Sequence, residues 1–415
     1  MATLQKTRFS PVRLRPVEFW PTGIQRPDHD WWFKYDRDLR GLGDPISFAR
    51  ASADTQLNPS LNLETLADDV AAFPFDINGN SLGHRGQGSR ENLQRNSQQP
   101  YQTGSGWGIT PGTITRDYTT MLGLSAARAQ RVATASGQVI GGIGTGAVSG
   151  ATAGRKFTAS GWFQNNGGET DITLRLIESG GVAASAEIAS KSVTLTNDPQ
   201  FVEFTGTVVE NDRTQITVWF GTSTGAGTYD FIEVKHQIEE GAFASSWIPT
   251  AASALTRAAD VAEWSIPRAQ TGFALACVFR TGPGTTLLNS PRIWSLYPDG
   301  NNFVRLIGNV AGNVIAQMTT GGVGQVPIVN NSWAPNTRYV SVVSAEANNF
   351  LHKMTGGSLL TDTSCTLPTI SAGTKLHVLR ELSSGTESFA TMERLMFWEN
   401  QTLSADEVES LVASL

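Results

Sequence analysis

Cysteine, charge, histidine and long apolar runs are all scarce in this sequence. Two cysteines in 415 residues, Cys277 and Cys365, supply neither a disulfide framework nor a metal-ligand spacing. Both fall in strand-like runs (FALACVF and TSCTL) and read as small buried hydrophobes; a disulfide between them is not implied. The five histidines, at 29, 84, 236, 352 and 377, lie too far apart for a zinc-ligand motif. Charged residues make up 16% of the chain, against about 25% in ordinary soluble domains, which disfavours charged amphipathic helices. No run of about 18 apolar residues occurs, so no membrane-spanning helix is expected. The opening MATLQKTRFSPVRLRP lacks the apolar stretch of a secretory signal. Walker A, G-x-S-x-G and H-E-x-x-H motifs are missing, and nothing calls for a cofactor.

What fills the sequence instead is Gly, Thr, Ser, Asn and Ala arranged in short alternating runs. In KFTASGWF (156–163), Phe157, Ala159 and Phe163 share one face while Thr158, Ser160 and Trp162 share the other. DITLRLI (171–177) and QITVWF (215–220) alternate in the same way. Period-two runs of this length between Gly/Asn turns are half-buried antiparallel strands. NFVRLIG, RYVSVVS, KLHVLRE and ERLMFW repeat the pattern after residue 268. The fold class that follows is all-β: two tandem antiparallel β-sandwiches of jelly-roll type, which suits a length of two or three domains. One helix is expected, LSADEVESLVASL at the end, with Ser404 and Glu407 forming a capping box and Val408, Leu411 and Val412 one apolar face.

The boundaries expected are an arm over 1–45, a turn-rich connecting region over 46–100, a first sandwich over 101–249, a junction over 250–267 and a second sandwich over 268–415. Pro11, Pro16, Pro21, Pro27 and Pro45 keep the arm irregular, yet Phe9, Phe19, Trp20, Trp31, Trp32 and Phe33 are too aromatic for a disordered tail. Two readings stand: the arm wraps its own downstream domain, or it docks on another subunit or a larger assembly. Residues 1–50 hold 9 Lys/Arg against 6 Asp/Glu, and the remainder is acidic; with no basic stripe, nucleic acid is not an expected partner.

The run QIEEGAFASSWIPTAASALTRAADV (237–261) resembles a junction found in bacteriophage tail fibres and head fibres or spikes. There a carbohydrate-binding-like jelly roll leads into a laminin-G/concanavalin-like sandwich. ISFARASADT (46–55), FPFDINGNSLGHRGQGSRENLQRNS (73–97) and ERLMFWENQTLSADEVESL are similar to other segments of those proteins. The chain departs from their pattern at Phe73-Pro74-Phe75 and at His84-Arg85-Gly86-Gln87. The resemblance covers residues 46–415. It implies a non-enzymatic structural protein on a virion surface, assembled in the host cytoplasm and binding host-surface polysaccharide. It also implies a homo-oligomer, a trimer first and a pentamer as the second choice. The arm would then attach to other virion proteins through its aromatic residues. A decoration protein that binds no receptor and a polysaccharide depolymerase are the alternatives.

Three residues fall on the polar phase of their strands and are the candidate glycan contacts: Trp162, Arg175 and Trp219. An aromatic out of phase with the core can stack on a sugar ring, and Arg can pair with sugar oxygens. In the junction, Phe243 and Ile248 are expected to pack, Pro249 to end the strand, and Arg257 to form an interdomain or intersubunit ion pair between Trp247 and Trp264. Glu239 reads as structural. QVIGGIGTGA (138–147) matches a dinucleotide fingerprint in form, but nothing after it can hold a helix, so it reads as a loop. The turns at 299–302 and 197–198 are rich enough in oxygen for Ca²⁺, though turn chemistry explains them equally well.

Overall fold

A computed structural model describes residues 20–21, 23–36, 39, 44–97, 113–133, 139–222, 226–282, 292–308, 313–326, 331–332, 334–379 and 390–415. Among the described residues every strand pairing is antiparallel, and the one long helix is Ala405–Ser414. No described helix is long and apolar enough to cross a membrane.

The first sandwich has two described sheets. One runs in the order Gln200–Thr207, Lys156–Asn165, Gly227–Glu240, Leu124–Ala133, Thr113–Met121; the other runs Ala186–Thr194, Asp171–Ser179, Arg213–Thr222, Val139–Ala151. The alternation read from the sequence sets their inner faces: Phe157, Ala159 and Phe163 from one sheet meet Ile172, Leu174, Leu176, Ile216 and Val218 from the other. One expectation is corrected. QVIGGIGTGA lies largely within the strand Val139–Ala151, paired with Arg213–Thr222, and is not a loop. Beyond Ala147 the chain continues in the same strand to Ala151, so no helix follows to present amides to a phosphate.

The second sandwich is larger. Its first sheet runs His29–Trp31, Ala390–Glu399, Gly272–Thr281, Arg338–Glu346, Asn349–Met354, Leu360–Asp362, and its second is built around Val261–Ser265, Lys375–Val378, Arg292–Asp299, Asn302–Gly308 and Asn313–Thr320. Gly272–Thr281 is buried on both faces. One face joins the inter-sheet core through Phe273, Leu275, Cys277 and Phe279. The other, with Ala274 and Ala276, lies under Val408 and Leu411 of the terminal helix and under Ile24. The helix starts with the expected capping box, Ser404 accepting from the Glu407 amide and the Glu407 side chain accepting from the Ser404 amide. Cys277 and Cys365 are buried free thiols, and burial pushes the Cys277 thiol up from its ordinary range.

The arm and the connecting region supply strands to this second sandwich. His29–Trp31 pairs with Leu395–Phe397, and His84–Gly86 pairs with Ala390–Met392, end to end along one edge of the last strand. Ser47–Ala49 pairs with Val261–Glu263 in the opposite sheet. Sheet edges left unpaired invite association with other chains, so these additions close an otherwise open edge. Gly83, at φ +87°, precedes the second addition; a side chain there would collide with the Met392 backbone. The arm aromatics follow from this placement. Trp31 and Phe33 are fully buried in the inter-sheet core, so they serve the first reading of the arm and are corrected as anchors for another protein. Trp32 is buried, with the Arg394 guanidinium 3.7 Å from its ring centroid. Trp20 is half-buried and donates to the Ile24 carbonyl at 2.7 Å. Phe9 and Phe19 lie outside the described residues.

Candidate functional site

Where the two sandwiches meet, a cleft of about 730 Å³ opens. Its walls come from five parts of the chain: the arm (Lys34), the outer face of the first sandwich (Ser160, Trp162, Phe201, Glu203, Lys235), the connecting region (Phe75, Ser81, Arg85), the junction (Ser245, Ser246, Trp247) and the second sandwich (Arg280, Thr391, Glu393).

The strand Gly227–Glu240 aims the decisive side chain. Tyr229 and Phe231 point into the inter-sheet core, and Ile232 and Val234 into the outer cluster that holds Trp162. Between Ser160 and Trp162 the register shifts: Ser160 faces Gln237 while Trp162 faces Val234. Two residues, Lys235 and His236, therefore oppose Gly161, which is a β-bulge, and such insertions re-aim side chains. Past the bulge the phase is reversed, and Ile238 returns to the core. Lys235 takes the left-handed conformation, φ 62°, a costly geometry for a residue with a Cβ. Its side chain lines the cleft, its Nζ lies 5.3 Å from the Trp247 ring centroid, and among the described residues no hydrogen-bond partner reaches it. Burial alone lowers its ammonium to about 7.

Other cleft-lining polar atoms share this state. Trp247 Nε1, Ser81 Oγ, Arg85 Nε and Thr391 Oγ1 are buried without a hydrogen-bond partner among the described residues. Proteins leave few buried polar atoms unpaired, and a group of them in one place calls for explanation. Beside them stand apolar surfaces: Trp162 packs on Phe201 at 5.4 Å between ring centroids, and Phe201 stays exposed. Glu203 accepts from the Ala244 amide at 2.9 Å, while burial and the nearby Glu239 push its carboxyl above the usual range. Aromatic faces alongside unsatisfied donors suit a ligand with apolar ring faces and many hydroxyl oxygens.

Of the three glycan candidates, only Trp162 lies here. Arg175 and Trp219 face each other across neighbouring strands of the opposite sheet, and Arg175 pairs with Glu187 at 3.4 Å. Alternation separates core from surface on one strand but does not say which sheet a surface residue faces from, so the expected trio divides between two surfaces. Lys235 and Phe201 carry no mark in the sequence reading, and Arg85 figures there only as a departure from the resembled pattern. The available signal was the broken phase of YDFIEVKHQIEE, where the apolar positions change parity.

The back of the cleft is braced by the junction. Phe243 and Ile248 are buried, as expected, and Pro249 is half-buried. Ile248 donates its amide to Gln237 Oε1 at 2.7 Å, and its carbonyl accepts from Asn92 Nδ2 at 2.7 Å. Arg257 pairs with Asp260 at 3.2 Å, Arg50 reaches the same carboxylate at 3.2 Å, and Arg85 reaches Asp54 at 3.0 Å. Burial opposes it, but Arg85, Arg257, the Ser246 hydroxyl and Arg50 hold the Asp54 carboxyl well below its ordinary value. The expected interdomain ion pair at Arg257 is thus one member of a buried network joining the connecting region to the junction. Trp264 sits in the second core, 5.3 Å from Trp31. Glu239 is fully buried and accepts from Gln237 Nε2 and the Ser245 amide, a structural placement. Asp299 accepts from the Asn301 amide and Asn302 Nδ2, ordinary turn geometry, and among the described residues no cluster of potential metal ligands forms.

No family model matches the sequence, and no curated protein matches it. Solved structures to which it is similar include one described as "CBM4 structure and function" (14% identity, 37% of this chain and 95% of that one, TM-score 0.23). Domains LG4-5 of the mouse laminin alpha1 chain also match (9%, 66% and 91%, TM-score 0.24). So does the CBM22-1-CBM22-2 tandem domain of Paenibacillus barcinonensis Xyn10C (8%, 75% and 98%, TM-score 0.26). Scores this low carry no argument about function; the all-β architecture rests on the strands described above.

Proposed function

We propose that this chain is a non-enzymatic carbohydrate-binding protein, displayed as an oligomeric fibre or spike on a bacteriophage or phage-like particle to contact host-surface polysaccharide. The observation that carries the binding reading is the cleft between the sandwiches, where Trp162, Phe201 and Trp247 stand beside donors that no described residue pairs. The virion setting and the trimer rest on the resemblance of residues 237–261. A glycan array probed with the full chain tests binding. Replacing Trp162 and Trp247 by Ala should lower affinity at least about tenfold, since stacking on one aromatic is worth about 1 kcal/mol or more, with the far-ultraviolet circular dichroism unchanged. Undiminished binding by the folded double variant would remove the cleft from consideration.

A second reading is hydrolysis in the same cleft, favoured by the raised carboxyl of Glu203, the state a general acid needs. Incubating the chain with a bound polysaccharide and measuring new reducing ends separates the two: release that Glu203→Gln abolishes supports hydrolysis, and none supports binding alone.

A further inference from the structure

We propose that the cleft selects an anionic sugar, whose carboxylate or sulfate seats on Lys235 Nζ while its ring lies against the Trp247 and Trp162 wall. The inference rests on the carbohydrate-binding reading and names the class of glycan it takes.

Lys235 is only 2% exposed, yet among the described residues no carboxylate lies within ion-pair distance of its Nζ. Burying an ammonium without a partner is strongly unfavourable, and the left-handed backbone that points it into the cleft adds to the cost. The other charges of the cleft are already engaged. Lys34 and Arg280 share Glu393 at 3.3 and 3.7 Å, and Arg85 holds Asp54 at 3.0 Å. Asp76 accepts from the Asn80 amide at 2.8 Å, and Glu203 accepts from the Ala244 amide at 2.9 Å. A neutral sugar would offer Lys235 only hydroxyl lone pairs. An anionic substituent supplies the missing charge, and charge-assisted hydrogen bonds are about twice as strong as neutral ones. The Trp247 ring beside the ammonium adds cation–π stabilisation without neutralising it.

The test is titration calorimetry of the full chain at pH 6 against matched oligosaccharides: neutral parents, their glucuronate-, galacturonate- or sialate-bearing forms, and their sulfated forms. The wild-type chain should bind at least one anionic form roughly tenfold or more tighter than its neutral parent, the fold-change expected for one charged hydrogen bond. Folded Lys235→Met should lose that preference and bind the anionic and neutral forms alike. The carboxylated and sulfated arms decide which anion is taken. Equal binding of neutral and anionic forms by the wild type would overturn the inference and leave the carbohydrate reading standing. So would a preference that survives intact in Lys235→Met. Binding of none of the oligosaccharides would overturn the carbohydrate reading together with the inference.

Discussion

Trp162 and Lys235 lie on the same wall of the cleft, but they reach it by different routes. Trp162 is on the outer face because KFTASGWF alternates without interruption, so its parity alone excludes it from the core. Lys235 is there because one extra residue resets the parity of its strand, and nothing local to that run says on which side the extra residue will project. Trp31 is a third case. Its size and apolarity mark it for burial, but the partner that buries it, Trp264 with Phe397 alongside, lies more than two hundred residues away. Trp31→Ala should therefore destabilise the second sandwich by about 3–5 kcal/mol, the usual cost of truncating a large buried aromatic. Urea unfolding followed by tryptophan fluorescence would measure it, and a loss under about 1 kcal/mol would mean the arm is not part of that core.

Elements whose logic is local are the ones the sequence describes best. The terminal helix begins at its cap because Ser404 and Glu407 satisfy each other's amides, and it is held in place by Val408 and Leu411. Ser404→Ala should lower stability by about 0.5–2 kcal/mol, read as a shift in the urea midpoint at constant slope. Strands built on alternation, such as Asp171–Ser179 and Asn302–Gly308, also stand where expected. Val139–Ala151 does not. Its glycines carry no side chains to alternate, and it becomes a strand only because Arg213–Thr222 offers it a ladder. The short pieces His29–Trp31 and His84–Gly86 are likewise too brief to signal themselves, and they exist because the last strand has an edge to fill.

At the scale of the whole molecule, buried titratable groups set the response to acid. Burial lowers His84, enclosed by Phe33, Phe48 and Phe73, to about 4, and it lowers His352 to about 4 as well. From the ordinary imidazole value near 6.5 down to about 4, the unfolded chain takes up protons that the folded chain refuses. Their contribution is thus complete above pH 6.5 and is lost as pH falls toward 4. Asp54 acts in the next window. Its carboxyl is held below 3.8 in the fold, so its contribution is present above that value and disappears as pH falls further. Melting temperature should decline from about pH 6.5 to 4 through the two imidazoles and go on declining below pH 3.8 through Asp54. A level profile between pH 7 and 4.5 would show that these imidazoles do not meet the fold in their neutral form.

From the sequence alone came the all-β class, the alternating inner faces, the capped terminal helix and the out-of-phase Trp162, because each follows from the spacing of residues a few positions apart. Tertiary structure alone decided that the arm closes the second sandwich, that Arg175 and Trp219 belong to a different face from Trp162, and that Lys235 stands in the cleft between the sandwiches with no ion pair among the described residues. The physical reason is that a period-two pattern specifies which side of a strand is buried. Which sheet that strand joins, which edge it covers and which distant charge it meets depend on contacts between residues far apart in the chain.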